Sequence, residues 1–214
     1  MNLSNYYWYF QSAIPRRFCE MIIQYGKAEK KREETGRTGA LGRERNFNQH
    51  PLTKEEMKDL KKRRDSNIVW MNDMWIYKEL HPYVHMANKN AGWNFNWEQS
   101  ESCQFTKYKK GQYYDWHCDS WNSPYVKEGH LKGKIRKLSV TITLSDPKTY
   151  KGGELEFDFR QNDPDKERKP IVCKEILPRG SVVVFPSFVW HRVKPVTKGI
   201  RYSLVVWNLG YPFQ

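Results

Sequence analysis

The chain has 214 residues, with 37 Lys and Arg against 24 Asp and Glu, which gives a formal net charge of +13. An aromatic content of 15% excludes a disordered chain, and the length suits one domain with a well-buried core. The positive balance raises a nucleic acid, an acidic polypeptide or an anionic surface as partner, but mixed-sign runs such as KKREE favour a solvated surface.

The cysteines and the N-terminal sequence indicate where the protein works. Cys19, Cys103, Cys118 and Cys173 contain no C-x-x-C pair, which argues against a zinc site or a disulfide framework and fits a reducing compartment. No apolar run approaches the ~20 residues of a membrane span, and the N-terminus lacks the pattern of a secretory signal. We therefore expect no membrane partner and a location in the cytoplasm, or in the host cytoplasm if the chain is viral.

The N-terminal region predicts one strand, one helix and a loop. Residues 5–13 form an aromatic run, which is typical of a strand that closes onto a core. Pro15 then opens a helix whose last part, residues 27–34, is charged and exposed. The apolar stripe of this helix comprises Phe18, Met21, Ile22 and Tyr25. Residues 35–48 place glycines among arginines, which indicates a flexible loop that is either a mobile lid or a surface excursion.

Two further helices and a short strand follow. Residues 53–65 predict a mostly charged helix that begins with a capping box. Its capping and inward-facing residues are Thr53, Glu56, Met57 and Leu60. A β-rich run covers residues 66–71, and the next amphipathic helix ends near Gly92, with an apolar stripe of Ile76, Leu80, Tyr83, Val84 and Ala87. His81 and His85 lie four apart on this helix but lack the Glu of a metalloprotease motif, so we interpret them as packing residues.

From Glu98 onward, short apolar or alternating runs are separated by turn residues, which is the pattern of an all-β region. Eight strands are predicted, a number that suits a jelly roll: residues 102–107, 112–118, 136–144, 154–159, 171–176, 181–185, 190–193 and 201–208. The fold class is thus mainly β with N-terminal helices (α+β), around a double-stranded β-helix of the cupin-like kind. We expect one domain over residues 1–214, in which residues 1–97 are a helical support covering an outer face and residues 98–214 are the core.

The run YKKGQYYDWHCD, which ends at Asp119, contains the first candidate metal ligands. His117 and Asp119 lie two residues apart in a strand-like run, so both side chains point to one face. His191 follows a later strand-like run, and two His with one carboxylate suit octahedral iron(II) with open positions. Ten residues beyond His191, Arg201 and Ser203 share a face of the last predicted strand.

Residues 104–210 resemble the prolyl 4-hydroxylase-like branch of the iron(II) and 2-oxoglutarate dependent dioxygenases. The resemblance rests on motifs that occur in the same order, namely Tyr108 and Gly111, Gly152-Gly153-Glu154-Leu155, Pro178-Arg-Gly180, Phe185-Pro186-Ser187, His191-Arg-Val193-x-Pro195-Val196, Gly199-x-Arg201 and Trp207. It implies that His117, Asp119 and His191 hold Fe(2+) and form the catalytic centre. It also implies that 2-oxoglutarate and O2 are used, that succinate and carbon dioxide are released, and that L-ascorbate is an auxiliary cofactor.

The same resemblance assigns the remaining site residues. Arg201 pairs with the distal carboxylate of 2-oxoglutarate, since a planar fork of donors matches a carboxylate bidentately. Tyr108 offers its hydroxyl to the cosubstrate and Ser203 assists Arg201. Arg136 and Trp207 line the substrate side. Collagen-type relatives carry Lys where Arg201 stands, and oxygen-sensing relatives carry Tyr where Thr143 stands, so substrate identity does not carry over.

The substrate is expected to be a protein or peptide, with a peptidyl proline as the hydroxylated residue. The loop at residues 120–133, with Trp121 and Tyr125, lies beside the metal pair and is placed to touch an extended chain. A nucleic-acid oxidising dioxygenase is the alternative that would explain the positive charge, but demethylase relatives carry an arginine where Trp207 stands. A non-catalytic β-barrel binding module is the other alternative, and it has no need of the intact metal and carboxylate set.

Overall fold

The computed structural model describes residues 3, 5–29, 32–38, 52–120, 123–126, 128–159 and 169–213. These residues contain three helices, α1 (Arg16–Ala28), α2 (Lys54–Arg63) and α3 (Met74–Asn90). The strands are β1 (Trp8–Phe10), β2 (Glu34–Thr35), β3 (Arg64–Asp65), β4 (Asn67–Met71), β5 (Gln99–Ser100), β6 (Cys103–Tyr108), β7 (Tyr113–His117), β8 (Ile135–Thr143), β9 (Lys151–Gly152), β10 (Leu155–Asp158), β11 (Ile171–Val172), β12 (Val182–Pro186), β13 (Trp190–Val193), β14 (Val196–Lys198) and β15 (Arg201–Gly210).

Two antiparallel sheets form the core of the molecule. The major sheet has the order β1-β12-β8-β15-β6-β4-β2, and β5 also pairs with β15. The minor sheet has the order β11-β10-β13-β7-β3, and β9 with β14 makes a separate ribbon. Among the core strands β6, β7, β8, β10, β12, β13 and β15, each strand lies in the other sheet from the one before it, as in a jelly roll. The predicted fold class is confirmed.

The outer face of the major sheet packs against the helices. Side chains alternate along β15, so Leu204 and Val206 point outward into an apolar cluster that includes Ile22 of α1 and Leu80 of α3. All four are at most 1% exposed. Burial of each such side chain contributes about 1.5–3 kcal/mol, so the helices are held to this face mainly by the hydrophobic effect.

The inner face of the major sheet faces the minor sheet across a second apolar cluster. Its buried members are Tyr108, Leu155, Phe157, Cys173, Ile176, Val183, Phe185, Val189, Val193 and Val196. The N-terminal strand β1 pairs with β12, and the ring of Tyr7 stacks on Phe157 with centroids 5.1 Å apart. The aromatic run at the N-terminus therefore closes onto the core, as predicted.

Three predicted boundaries are wrong. Helix α1 ends at Ala28 rather than continuing to Glu34, which lies in β2. Helix α2 begins with the predicted capping box but ends at Arg63, because Arg64 is extended and pairs with β7. The strand predicted at residues 171–176 is limited to β11 and is followed by a 3-10 turn at Lys174–Ile176. That turn lets Cys173 and Ile176 both enter the inner cluster, which strand alternation would prevent.

Some expectations fall on parts of the chain that are not described. Residues 39–48 of the predicted loop and Trp121 lie outside the described residues. Within the described ranges, every helix is too short or too polar to cross a membrane.

Candidate active site

Three potential metal ligands converge between the two sheets, on the side of the minor sheet that faces the major sheet. His117 ends β7, His191 lies opposite it on β13 in antiparallel register, and Asp119 follows β7 by two residues. Oxygens of Asp119 lie 3.7 Å from Nε2 of His117 and 3.6 Å from Nε2 of His191. The three residues, here called the metal centre, are the one His, Cys, Asp and Glu group in the described ranges that could hold a metal. His81 is instead hydrogen-bonded to Ser100, as its packing interpretation requires.

Backbone carbonyls fix the tautomers of both histidines. Nδ1 of His117 donates to the carbonyl oxygen of Asp115 at 2.7 Å, and Nδ1 of His191 donates to that of Val189 at 3.0 Å. In the neutral form of each ring the lone pair is therefore on Nε2, and a neutral imidazole with an anchored far nitrogen is the form that binds metals. Burial, together with the neighbouring His191, lowers the pKa of His117 well below its usual range, so this ring stays neutral.

Asp119 is held as an ionised carboxylate. The hydroxyl of Ser139 donates to its Oδ2 at 2.7 Å, and its backbone N–H donates to the carbonyl of Ser187 at 2.8 Å. Burial works to raise the pKa of Asp119, but His191, His117, Arg136 and the Ser139 hydrogen bond together hold it below its usual range. A carboxylate with this support is a ready metal ligand.

The donor set fits iron(II). The two imidazole nitrogens and one carboxylate oxygen lie within 4.8 Å of one another and would leave positions open for other ligands on a six-coordinate metal, which is typical of non-haem iron(II) oxygenases. Aromatic rings enclose the centre: Phe185 meets His191 edge-on at 4.7 Å between centroids, and Tyr114 stacks on His117 at 3.5 Å. Such a shell limits the access of water to a bound metal.

Arg201 lies on the inner face as a buried cation. It is 2% exposed, and Nη1 donates to the hydroxyl of Ser203 at 3.2 Å. No carboxylate of the described residues pairs with it. Tyr108 lies beside it on β6, with the ring centroid 5.6 Å from the guanidinium carbon. The absence of a side chain at Gly153 leaves space for Arg201, because a Cβ there would lie 2.9 Å from Cδ of Arg201. A buried charge without a partner is costly, which indicates that an external anion completes this position.

The structure also brings Arg136 and Trp207 together. It does so through a bulge in β8, which the simple alternation of side chains along a strand does not predict. The register of β8 against β15 shifts between Leu138 and Arg136, so Lys137 is an extra residue and Arg136 turns onto the inner face. Its guanidinium carbon then lies 3.9 Å from the ring centroid of Trp207. The indole N–H of Trp207 is buried and has no hydrogen-bond partner in the part of the chain that the structure describes.

Tyr125 lies behind this pair. Its hydroxyl donates to Glu101 at 2.7 Å, and the same carboxylate accepts two hydrogen bonds from Arg136, at 2.7 and 2.5 Å. Glu101, which the sequence did not single out, therefore anchors both residues. The ion pair raises the pKa of Arg136 despite its burial, so this group is always charged.

Several polar residues of the inner face were missed by sequence reasoning. Those on β8 alternate with apolar residues in the run KLSVTIT, and this alternation could have predicted a polar inner face. The missed residues are Ser139, Thr141, Gln104, Thr106 and Ser187, all buried. Trp70, whose ring lies 6.2 Å from that of Trp207, and the buried Arg64 were also missed.

Comparison with known proteins finds one matching family model and several relatives named as hydroxylases. A family model described as the 2OG-Fe(II) oxygenase superfamily matches residues 103–208, about half of the chain. A PKHD-type hydroxylase of Synechococcus sp. (strain CC9902) is 37% identical over 102 residues, and PKHD-type hydroxylase YbiX of Escherichia coli O157:H7 is 33% identical over 103. The matches cover 47% and 48% of this chain but only 38% and 40% of the relatives' own lengths.

Solved structures resemble the whole fold. The viral collagen prolyl hydroxylase of Paramecium Bursaria Chlorella virus-1 has a TM-score of 0.62 at 16% identity, with 97% of each chain covered. A Pseudomonas putida prolyl-4-hydroxylase has a TM-score of 0.60 at 16% identity, covering 96% of this chain and 92% of its own. A Trichoplax adhaerens prolyl hydroxylase, in complex with a hypoxia inducible factor peptide fragment, has a TM-score of 0.60 at 14% identity, covering 96% and 84%.

Proposed function

We propose, from the premise that residues 103–208 belong to the 2OG-Fe(II) oxygenase superfamily, that the protein is an iron(II)- and 2-oxoglutarate-dependent dioxygenase that hydroxylates a peptidyl proline. Succinate and carbon dioxide are the coproducts. One observation supports this most strongly: the metal centre of two histidines and an ionised Asp119 lies between the two sheets, and Arg201 also points into this space from β15. Arg201 is a buried cation that has no carboxylate partner among the described residues. A binding module would gain nothing from that combination.

Iron(II) bound by His117, Asp119 and His191 would supply the redox chemistry that couples oxidation of 2-oxoglutarate to oxygenation of a C–H bond. In this proposal Arg201 binds the distal carboxylate of the cosubstrate. Ser203 accepts one of its N–H groups and so fixes the guanidinium, leaving its other donors for the anion. Burial raises the pKa of Tyr108, so its hydroxyl stays protonated and donates to the cosubstrate.

The substrate side is proposed to be the surface made by Trp207 and Arg136. The indole N–H of Trp207 has no acceptor within the described ranges, and Arg136 is held in place by Glu101, so both can donate to carbonyl oxygens of an extended peptide. The flat indole face suits an apolar pyrrolidine ring. Tyr125 then acts by positioning Glu101, and contact of Trp121 with the substrate stays a prediction. The PKHD-type and prolyl hydroxylase relatives support a proline substrate.

Two auxiliary features belong to the same proposal. L-ascorbate is proposed as a supporting reductant, on the family resemblance. A reducing location such as the cytoplasm is proposed because all four cysteines are unpaired and at least half-buried, and three of them are fully buried.

The test is mass spectrometry of proline-containing peptides and short nucleic acids after incubation with the protein, iron(II), 2-oxoglutarate and oxygen. We expect proline to gain one oxygen in the wild type and not in His191→Ala. Oxygenation of nucleic acid alone would support a nucleic-acid oxidising dioxygenase instead. If 2-oxoglutarate were not consumed with any substrate, a non-catalytic binding module would replace both dioxygenase hypotheses.

A further inference from the structure

Arg64 is a third arginine near the metal centre, besides Arg201 and Arg136, and its charge has no role in the proposed function. It is 3% exposed and lies on β3, at the edge of the minor sheet, where the chain passes to β4 of the major sheet. Its guanidinium carbon lies 4.5 Å from the ring centroid of Tyr114, and that ring stacks on His117. Arg64 is therefore separated from a metal ligand by one aromatic ring.

Within the described part of the chain, Arg64 donates hydrogen bonds to three neutral acceptors. Nε donates to the hydroxyl of Ser66 at 2.9 Å, Nη1 to the carbonyl of Arg37 at 2.8 Å and Nη2 to Oε1 of Gln104 at 2.5 Å. No carboxylate of the described residues pairs with it. Three of the five N–H donors of a guanidinium are thus used, and two remain.

Gln104 adds further unused donors at the same place. Because Arg64 can only donate, the Gln104 amide must turn its oxygen toward it, and the oxygen also accepts from Thr106 at 3.4 Å. The amide nitrogen has no hydrogen-bond partner among the described residues, although the residue is only 4% exposed. Gln104 lies on the inner face, opposite Val205 and one side-chain repeat from Trp207.

The charges of the loaded site leave Arg64 unbalanced. Iron(II) and the doubly charged 2-oxoglutarate neutralise each other, Asp119 balances Arg201, and Glu101 balances Arg136. The charge of Arg64 remains. A buried charge is stable only when paired, so a further anion is expected beside it when the site is full.

We propose that Arg64 and Gln104 form a subsite for a carboxylate carried by the substrate, either an Asp or Glu side chain or the chain-terminal carboxylate. The subsite rests on the proposed peptide hydroxylase function and deepens it, since it selects an acidic group close to the reacting proline. Its nearness to Tyr114 and to the inner-face residues beside Trp207 places it at the edge of the proposed peptide surface.

The test uses matched proline peptides that carry Glu or Gln at each position near the proline, each with a free or an amidated C-terminus. Oxygenated product and anaerobic equilibrium binding are both measured on iron- and 2-oxoglutarate-loaded protein. The wild type should prefer the carboxylate at one position by about tenfold or more. The free and amidated arms show whether that carboxylate is a side chain or the terminus.

The Glu-to-Gln ratio within each variant is the decisive quantity, because a general loss of activity cancels in it. Arg64→Met should bring the ratio to about one, and Arg64→Lys should keep part of the preference. Arg63→Met is the matched control, since it removes the same charge from the adjacent, exposed residue and should keep the full preference.

Gln104→Glu gives a second test that keeps Arg64 and its ties to both sheets. The new carboxylate should pair with Arg64 and repel an acidic peptide, so the ratio should fall below one. An unchanged ratio in Gln104→Glu or Arg64→Met, or equal use of Glu and Gln peptides by the wild type, would overturn the subsite. Failure of every peptide to bind or gain oxygen would contradict the proposed function itself, and the subsite with it.

Discussion

The two faces of the major sheet are built from the same strands, and along β15 they differ in chemistry. On β15 the outward residues Leu204 and Val206 are apolar and pack under the helices, whereas the inward residues Arg201 and Ser203 are polar. Both sets are at most 2% exposed. Solvent access therefore does not explain the difference. The outer face gains stability from burial, while the inner face accepts the cost of buried polar groups.

That cost is informative because some buried donors of the inner face have no partner in the described part of the chain. Arg201 has no carboxylate partner, and the indole N–H of Trp207 no acceptor, among the described residues. Ser139, in contrast, is satisfied by Asp119. Unpaired buried donors at one end of a sheet indicate that external molecules complete them, so substitutions on the two faces should separate stability from binding.

The largest effect is expected at the metal centre. His191→Ala or His117→Ala removes an iron ligand, and iron affinity should fall by more than ~100-fold, since loss of even an outer partner of a ligand costs ~10–100-fold. Metal analysis after desalting, with folding checked by circular dichroism, measures this. Full iron occupancy in both variants would show that the site is assigned wrongly.

On the outer face, Leu204→Ala should reduce stability without affecting the site. Leu204 is fully buried in the helix-covered cluster, and removing such a side chain costs ~2–5 kcal/mol through lost burial and a cavity. Urea unfolding measures the loss, and the apparent 2-oxoglutarate constant of the folded variant should stay within a factor of two of the wild type. A large change in that constant would break the separation of the two faces.

On the inner face, Arg201→Ala should weaken 2-oxoglutarate binding without reducing stability. Removing the partner of a partly desolvated anion costs ~2–5 kcal/mol of binding, so the apparent 2-oxoglutarate constant should rise by roughly 30-fold or more. Arg201→Lys should recover part of the loss, because it keeps the charge but not the bidentate geometry. Iron binding should barely change, and the free energy of unfolding without cosubstrate should not fall. An unchanged constant would remove the cosubstrate role.

The smallest effect is expected from Ser139→Ala. This change deletes the hydroxyl that donates to Asp119, and loss of such a partner should weaken iron binding by about tenfold. Ser181→Ala is the matched control, because Ser181 is equally buried but accepts from the backbone of Ser12, away from the metal centre. Equal iron affinity in both variants would show that Ser139 does not support the ligand.

Much of the fold could be predicted because the relevant signals are local. The alternating runs of the core and the capping box of α2 depend on neighbours in the chain, and they match the observed strands and helix start. His117, Asp119 and His191 were identified from spacing and resemblance, and they do converge. Arg201 and Ser203 lie together on the inner face, as their parity required.

What could not be predicted depends on tertiary pairing. Arg64 belongs to the charged run KKRRD, which reads as the exposed end of a helix, and only its pairing with β7 buries it. Arg136 was assigned to the substrate side by resemblance alone, because it reaches the inner face through a bulge that the alternation of side chains does not indicate. Glu101 lies outside the predicted strand and gains its role only because Arg136 and Tyr125 meet there.

The most direct test of the central proposal is the conversion of 2-oxoglutarate to succinate by the iron-loaded protein in the presence of oxygen. The wild type should form succinate slowly alone and faster with a proline peptide, His117→Ala should form none, and Leu204→Ala should match the wild type per folded molecule. If the wild type formed no succinate with any candidate substrate, or if His117→Ala formed as much, the assignment of the inner face as a dioxygenase site would be contradicted.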